Sequence, residues 1–408
     1  MNAEKWWQDA VFYQVYPRSF ADGNGDGMGD LAGIRSRLPH LVDLGVDALW
    51  ISPFYTSPMN DAGYDVADYR DIDPRFGTLA DAEALVAEAH ALGLRVLIDI
   101  VPNHTSSEHR FFKAALQTAP GSPEWARYHA LPGTGLNGEL PPNNWKSVFA
   151  GEAWSRILDK SGRPTGYWYL HLFDATQPDL DWTNPEVRAE FEAILRFWLD
   201  RGADGFRVDV AHGLVKRTGL PDWEAPAGDG AEPITHADGK HPAWDQNGVH
   251  EIYRDWRRVL DSYTEGPERI LCAEAWVRPP ERLARYVRPD EMHQAFNFDF
   301  LDTRWDAGAL REVVKTKLNL EMAATEEMKK MALRIKPDGH MLTAITDPSP
   351  ANHSEELPFR TKPFEGTDAG FCRQHVPVAV HPDVHRIAAT SKPLFVLLKT
   401  FPKLLLQF

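Results

Sequence analysis

Cysteine is nearly missing from this chain: Cys272 and Cys372 are the two in 408 residues. That excludes a fold built on disulfides and predicts a reducing, cytoplasmic setting. Long apolar runs are missing too. The most apolar stretch, residues 394–408, is interrupted by Lys399, Pro402 and Lys403 and is too short to span a bilayer. The first seven residues lack a basic flank followed by an apolar run, so no secretory signal is expected. Basic residues are outnumbered, 44 Lys and Arg against 59 Asp and Glu, for a net charge of −15. A nucleic-acid surface needs clustered cations to neutralise phosphates, so that class of partner is excluded, as is a membrane. Internal repeats and low-complexity tracts are lacking as well. What remains is ordinary for a folded domain, with 43% hydrophobic and 25% charged residues and ample length for a large core.

One absence is local. All 14 tryptophans lie between Trp6 and Trp305, and none follows. Up to Asp306 the chain has 24 Arg and 6 Lys; from Ala307 it has 5 Arg and 9 Lys. The acid excess divides at the same place, with 48 acids against 30 bases before it and 11 against 14 after it. No linker-like composition marks this seam.

Before the seam, short apolar runs alternate with amphipathic helical patterns. Residues 10–16 (AVFYQVY), 48–54 (ALWISPF), 95–101 (RVLIDIV), 205–211 (GFRVDVA), 269–276 (RILCAEAW) and 294–301 read as six buried strands. Thr78 with Asp81 forms a capping box for a helix ending at Gly93. Asn184 and Pro185 open another, which Gly202 ends. Strands alternating with helices imply a parallel sheet. Carboxylates recur where successive strands end, which favours a closed (β/α)8 barrel, because such barrels build their sites there. An open doubly wound sheet lacks support, since no Gly-rich fingerprint follows the first strand. Residues 105–176, rich in Gly, Pro and Asn, are too long for a loop and read as an inserted subdomain after the third strand. Residues 215–247 form a second polar insertion over the barrel mouth. The expected organisation is therefore a barrel of residues 1–104 and 177–306, an inserted subdomain of 105–176, and a divergent tail of 307–408 that leaves the barrel incomplete at its C-terminal end. A barrel stopping at six strands would expose its first and sixth strands as edges.

The chemistry sits on two strand ends. Arg207 and Asp209 are two apart on a strand and so share a face. A guanidinium beside a carboxylate favours the ionised form that a nucleophile needs. Glu274, between Ala273 and Ala275 with Trp276 close by, has an apolar setting that raises a carboxyl's pKa and suits a general acid. Two carboxyls in opposite environments on neighbouring strands meet the requirement for cleaving a glycosidic bond. Read singly, Arg207 and Asp209 could equally be a structural ion pair, and Glu274 a satisfied interior carboxylate.

Five segments together resemble glycoside hydrolase family 13, the α-amylase family, in its α-glucosidase and oligo-1,6-glucosidase branch. They are residues 61–69 (DAGYDVADY), 99–104 (DIVPNH), 177–181 (QPDLD), 205–209 (GFRVD) and 273–276 (AEAW), within a match of about residues 6–306. The resemblance implies an exo-acting retaining α-glucosidase, with Asp209 as nucleophile, Glu274 as acid/base and Arg207 holding Asp209 ionised. It implies that Asp61 and His104 bind hydroxyls of the terminal glucose, that Tyr64 faces its ring, that Phe173 and Gln177 line the subsite, and that Asp99 orients the network. A small oligosaccharide is the implied partner, and no organic cofactor is expected. Val210, beside the nucleophile, is similar to members that accept α-1,6 links.

Asp22, Asn24, Asp26 and Gly27 match the opening of a calcium loop, but Gly33 stands where an EF-hand needs its bidentate Glu. The resemblance implies a structural Ca2+ held here by Asp22, Asn24, Asp26, the Met28 carbonyl and Asp30. The alternative is an Asp- and Gly-rich turn that binds nothing tightly. The family also requires a third carboxylate, an Asp after Asn-His on the seventh strand. Here Asn352 and His353 are followed by Ser354, and residues 340–346 are a candidate seventh strand ending in Asp347. Transglucosylating or isomerising relatives such as trehalose synthase share all these motifs. A truncated, non-catalytic sugar-binding remnant is the reading from a different class.

Overall fold

The structure is a computed structural model. It describes residues 5–224, 234 and 237–303, and the backbone of 319–323 and 339–343. Its principal sheet has eight parallel strands: β1 (Phe12–Val15), β2 (Ala48–Ile51), β3 (Arg95–Ile100), β4 (Gly205–Val208), β5 (Ile270–Ala273), β6 (Gln294–Ala295), β7 (Asn319–Ala323) and β8 (Gly339–Thr343). Their order is β6-β5-β4-β3-β2-β1-β8-β7, the cyclic order of a (β/α)8 barrel. Among the described residues seven ladders join the eight strands, and none joins β6 to β7.

Two expectations about the ending are corrected. The first strand is not an open edge, because β8 pairs with it from Phe12↔Met341 to Gln14↔Thr343. The candidate seventh strand at residues 340–346 is Gly339–Thr343 and occupies the eighth position, because parallel pairing with β1 is what the last strand of a barrel makes. Asp347 and the segment from Asn352 to Ser354 lie outside the described residues. A third correction concerns residues 294–301: only Gln294–Ala295 is strand, and Phe298–Asp302 is helical. Asn297 causes the switch, its side chain accepting from the Phe300 amide as an N-cap.

The helices between strands form for local reasons. In α1 (Leu31–Leu44) the Asp30 side chain accepts from the Gly33 amide, and Gly45 closes the helix in the left-handed region. In α2 (Leu79–Ala91) the Thr78–Asp81 capping box is reciprocal. In α3 (Pro185–Leu199) Asn184 caps, Pro185 fills the first position, and Val187, Phe191, Ile194, Leu195, Trp198 and Leu199 are buried as one face. In α4 (Val249–Asp261) Ile252, Tyr253, Trp256 and Leu260 do the same. Gly205 is obligatory for packing: a Cβ there would lie 2.1 Å from the Ile270 carbonyl oxygen. β4 and β5 can thus approach closely where the site begins.

At the barrel floor Trp6 and Trp7 pack on Ala10, Phe12, Trp50, Leu97 and Ile270. Both indoles donate to Glu268, at 2.8 Å each. Within the insertion, Pro164–Leu170 is flanked by Ala130–Pro132 and Trp154–Leu158 in a three-stranded antiparallel sheet. The loop after β4 is fastened to this subdomain: Asn143 donates to the Leu220 carbonyl, Trp145 to the Pro221 carbonyl, and Asn144 exchanges hydrogen bonds with Asp222 and Trp223. No helix among the described residues is long and apolar enough to cross a membrane.

Candidate active site

Sheet register brings the chemistry together. Asp99 on β3 is paired with Arg207 on β4, and Val208 with Ala273 on β5. Asp209 and Glu274 each follow by one residue, so they emerge side by side at the C-terminal ends of neighbouring strands. Arg207, 1% exposed, is the hub. Its Nη1 lies 2.5 Å from Asp209 Oδ1 and 3.0 Å from Asp99 Oδ1, and its Nη2 lies 3.4 Å from Glu274 Oε2. The guanidinium carbon is also 4.8 Å from the centre of the Trp50 ring.

Each carboxylate has further donors. Asp99 Oδ2 accepts from Trp50 Nε1 at 3.0 Å and from the Tyr64 hydroxyl at 3.1 Å. Glu274 Oε2 accepts from the Val210 amide at 2.7 Å and Oε1 from Trp276 Nε1 at 2.8 Å. The Trp276 ring stacks on Phe298 at 3.6 Å and 7°.

Three buried carboxyls share one guanidinium, so the cluster is short of positive charge. Burial pushes Asp209 up to about 8 and Asp99 up to about 7, while Arg207 pulls both down. Burial also raises Glu274, again against Arg207. Arg207 therefore touches Asp209 as the sequence suggests, but desolvation outweighs it. Because the groups titrate together, the retained proton belongs to the cluster.

Beside the cluster lies a second group. Gln177 Nε2 is 2.9 Å from Asp61 Oδ2 and 3.1 Å from His104 Nε2. The His104 ring is 5.0 Å from that of Phe173. Burial lowers His104 to about 4, so its imidazole is neutral. The charge of Asp61 reaches Asp209 and raises it further, which joins the two groups. Thus Asp61, Tyr64, Asp99, His104, Phe173, Gln177, Arg207, Asp209 and Glu274 form one connected site.

Sequence reading missed the supporting residues. Trp50 had a signal, since it sits mid-strand on β2, the strand next to the one carrying Asp99. Lys216, in the second insertion, had none: it meets Asp179 of the 177–181 motif at 2.9 Å, both side chains 0% exposed.

The residues expected to hold calcium lie apart, in the loop after β1. Asp22 accepts from the amides of Asn24, Gly25 and Gly27, Asn24 from Asp26, and Asp26 from Met28. Asp30 caps α1 and also accepts from Gly23. These carboxylates satisfy the loop's own backbone, and among the described residues no three acidic, His or Cys side chains converge as a metal cage.

The catalytic domain of α-amylases matches as a family over residues 14–347, past the last motif. Maltase 1 of Drosophila virilis is 41% identical over 305 residues, 72% of this chain and 47% of the relative. Oligo-1,6-glucosidase of Parageobacillus thermoglucosidasius is 40% identical over 310 residues, 74% of this chain and 52% of the relative. Among solved structures, the α-glucosyl transfer enzyme XgtA superposes with a TM-score of 0.71 at 34% identity, covering 83% of this chain and 68% of that one. The chain spans about half the length of the curated relatives it matches.

Proposed function

The chain belongs to the α-amylase family of glycoside hydrolases, and from that premise we propose that it is a retaining α-glucosidase acting on terminal α-linked glucose of small oligosaccharides. One observation carries this reading: Asp209 and Glu274 stand side by side at adjacent strand ends, both in contact with Arg207. In the first step Glu274 gives its proton to the glycosidic oxygen while Asp209 attacks the anomeric carbon, and the sugar–oxygen bond breaks. In the second, Glu274 takes a proton from water, which displaces Asp209 from the anomeric carbon. A cluster that retains a proton at neutral pH supports the first role of Glu274. The terminal glucose is assigned to Asp61, His104, Phe173, Gln177 and the Tyr64 ring.

The test is release of p-nitrophenol from p-nitrophenyl-α-glucoside by the full chain. Turnover lost in Asp209→Asn supports the proposal; a well-folded chain without turnover overturns it in favour of a non-catalytic, sugar-binding remnant. Transfer to a sugar acceptor in place of water is a second reading, favoured by the likeness to an α-glucosyl transfer enzyme. Product analysis with added maltose separates the two. We also propose a cytoplasmic location, on the cysteine content. A stabilising Ca2+ in the loop from Asp22 to Asp30 is proposed on its all-oxygen donors, which suit a hard cation. Binding there would draw the exposed Asp22 and Asp26 from their amide contacts, and no catalytic step depends on it.

A further inference from the structure

His104 has an amino group facing each ring nitrogen. Asn103 Nδ2 lies 3.2 Å from Nδ1, and Gln177 Nε2 lies 3.1 Å from Nε2. A neutral imidazole has one acceptor nitrogen, so only one of these NH2 groups can donate to it. Which one does depends on how firmly each amide is held.

Asn103 is held at both ends by buried charges. Its Oδ1 accepts from Lys216 Nζ at 2.7 Å, and its Nδ2 donates to Asp179 Oδ2 at 3.0 Å. Lys216 and Asp179 are themselves paired, with no exposed side-chain surface. Turning the amide over would put its NH2 against an ammonium and its oxygen against a carboxylate, away from water. Gln177 is held more weakly. Its Oε1 accepts from the Asp174 amide at 3.0 Å, and its one charged partner, Asp61, is only partly buried. Asn103 therefore keeps the donor role toward Nδ1, and the ring proton goes to Nε2.

We propose that Asn103, clamped between Lys216 and Asp179, is a positioning residue that fixes His104 as its Nε2–H tautomer, so that the imidazole presents a donor to the substrate pocket. This rests on the assignment of His104 to the sugar pocket. The Tyr64 carbonyl also accepts from the ring, and the Nε2–H then faces the NH2 of Gln177, donor against donor. A sugar hydroxyl entering there resolves it: its oxygen accepts from both, and its own proton goes to Asp61. The pocket is thus matched to a group that accepts two hydrogen bonds and donates one, which describes a hydroxyl and excludes an ammonium or a methyl.

The experiment is 15N NMR of the full chain labelled at histidine, with His104 assigned by its loss in His104→Gln. The expected spectrum has a pyrrole-type Nε2 and a pyridine-type Nδ1, and the reverse pattern overturns the proposal. The exchanged pair Asn103→Asp with Asp179→Asn keeps the net charge and puts an acceptor against Nδ1. It should invert the pattern and raise KM for p-nitrophenyl-α-glucoside about 10-fold, with kcat changed less than about 3-fold. An unchanged tautomer in a folded exchanged pair also overturns the proposal. The spectra are read without turnover, so they stand even if the glucosidase assignment fails.

Discussion

Two sets of carboxylates in this molecule meet opposite fates. At the strand ends Asp99, Asp209 and Glu274 are buried around Arg207, and desolvation lifts all three. In the loop after β1 Asp22 is exposed, and the amides of Gly27, Gly25 and Asn24 hold its carboxyl below the ordinary range. The first set has a full positive charge within 3.4 Å and still binds protons. Asp22 has only backbone dipoles and releases its proton. Access to water decides the difference, because a formal charge in a closed space first repays its own desolvation.

The comparison can be broken at its strongest point by Glu274→Gln. Turnover of substrates with poor leaving groups should fall about 10²–10⁴-fold, the range for a lost general acid. A dinitrophenyl glucoside, which departs without protonation, should lose much less in its first step. Equal losses for both substrates would remove Glu274 from the acid role. Removing the hub comes next. Arg207→Met leaves three carboxyls without their cation and should cost about 3–5 kcal/mol in denaturant unfolding, the range for breaking a buried pair. A cost below about 1 kcal/mol would show the cluster already largely neutral.

A third measurement sharpens the contrast through pH. With Asp209 raised from 3.8 to about 8 and Asp99 to about 7, the native chain binds more protons than the unfolded one between those limits. Stability from this cluster is therefore highest at acid pH and falls as pH rises from about 4 to about 8. Asp209→Asn should flatten that fall, narrowing the Tm difference between pH 5 and pH 8 by about 2–4 °C. A variant that tracks the parent would contradict the raised pKa. The smallest effect belongs to the loop. Calcium against chelator should raise Tm of the full chain by about 2 °C or less, and Asp22→Ala should erase that difference. No response to calcium would leave the loop as a turn.

Most of the barrel could be read from the sequence because its first five strands are apolar runs bounded by caps and glycines. Its closing part was read only in pieces: the strand near residue 340 was expected, but in the seventh position and not the eighth. Gln294–Ala295 is two residues long and gives way to a helix at Asn297. Asn319–Ala323 and Gly339–Thr343 carry charged or polar residues and follow none of the motifs. Eight of the nine site residues were legible because each sits within a compact motif at a strand end or in a neighbouring loop; Phe173 lies just before one. Lys216 was not, since its partner Asn103 lies 113 positions away and the contact comes from folding the second insertion back over the third strand. Local pattern reveals what a strand carries; it does not show which distant side chain will hold an amide in place.

Glu274 is held by the main-chain amide of Val210, the residue after Asp209, in a left-handed conformation at φ 44°. A backbone donor persists through every substitution except proline. The side chain at position 210 can therefore be exchanged while Glu274 stays anchored to the chain segment that carries Asp209. The proposed catalytic pair is in this sense insulated from drift at the position beside it.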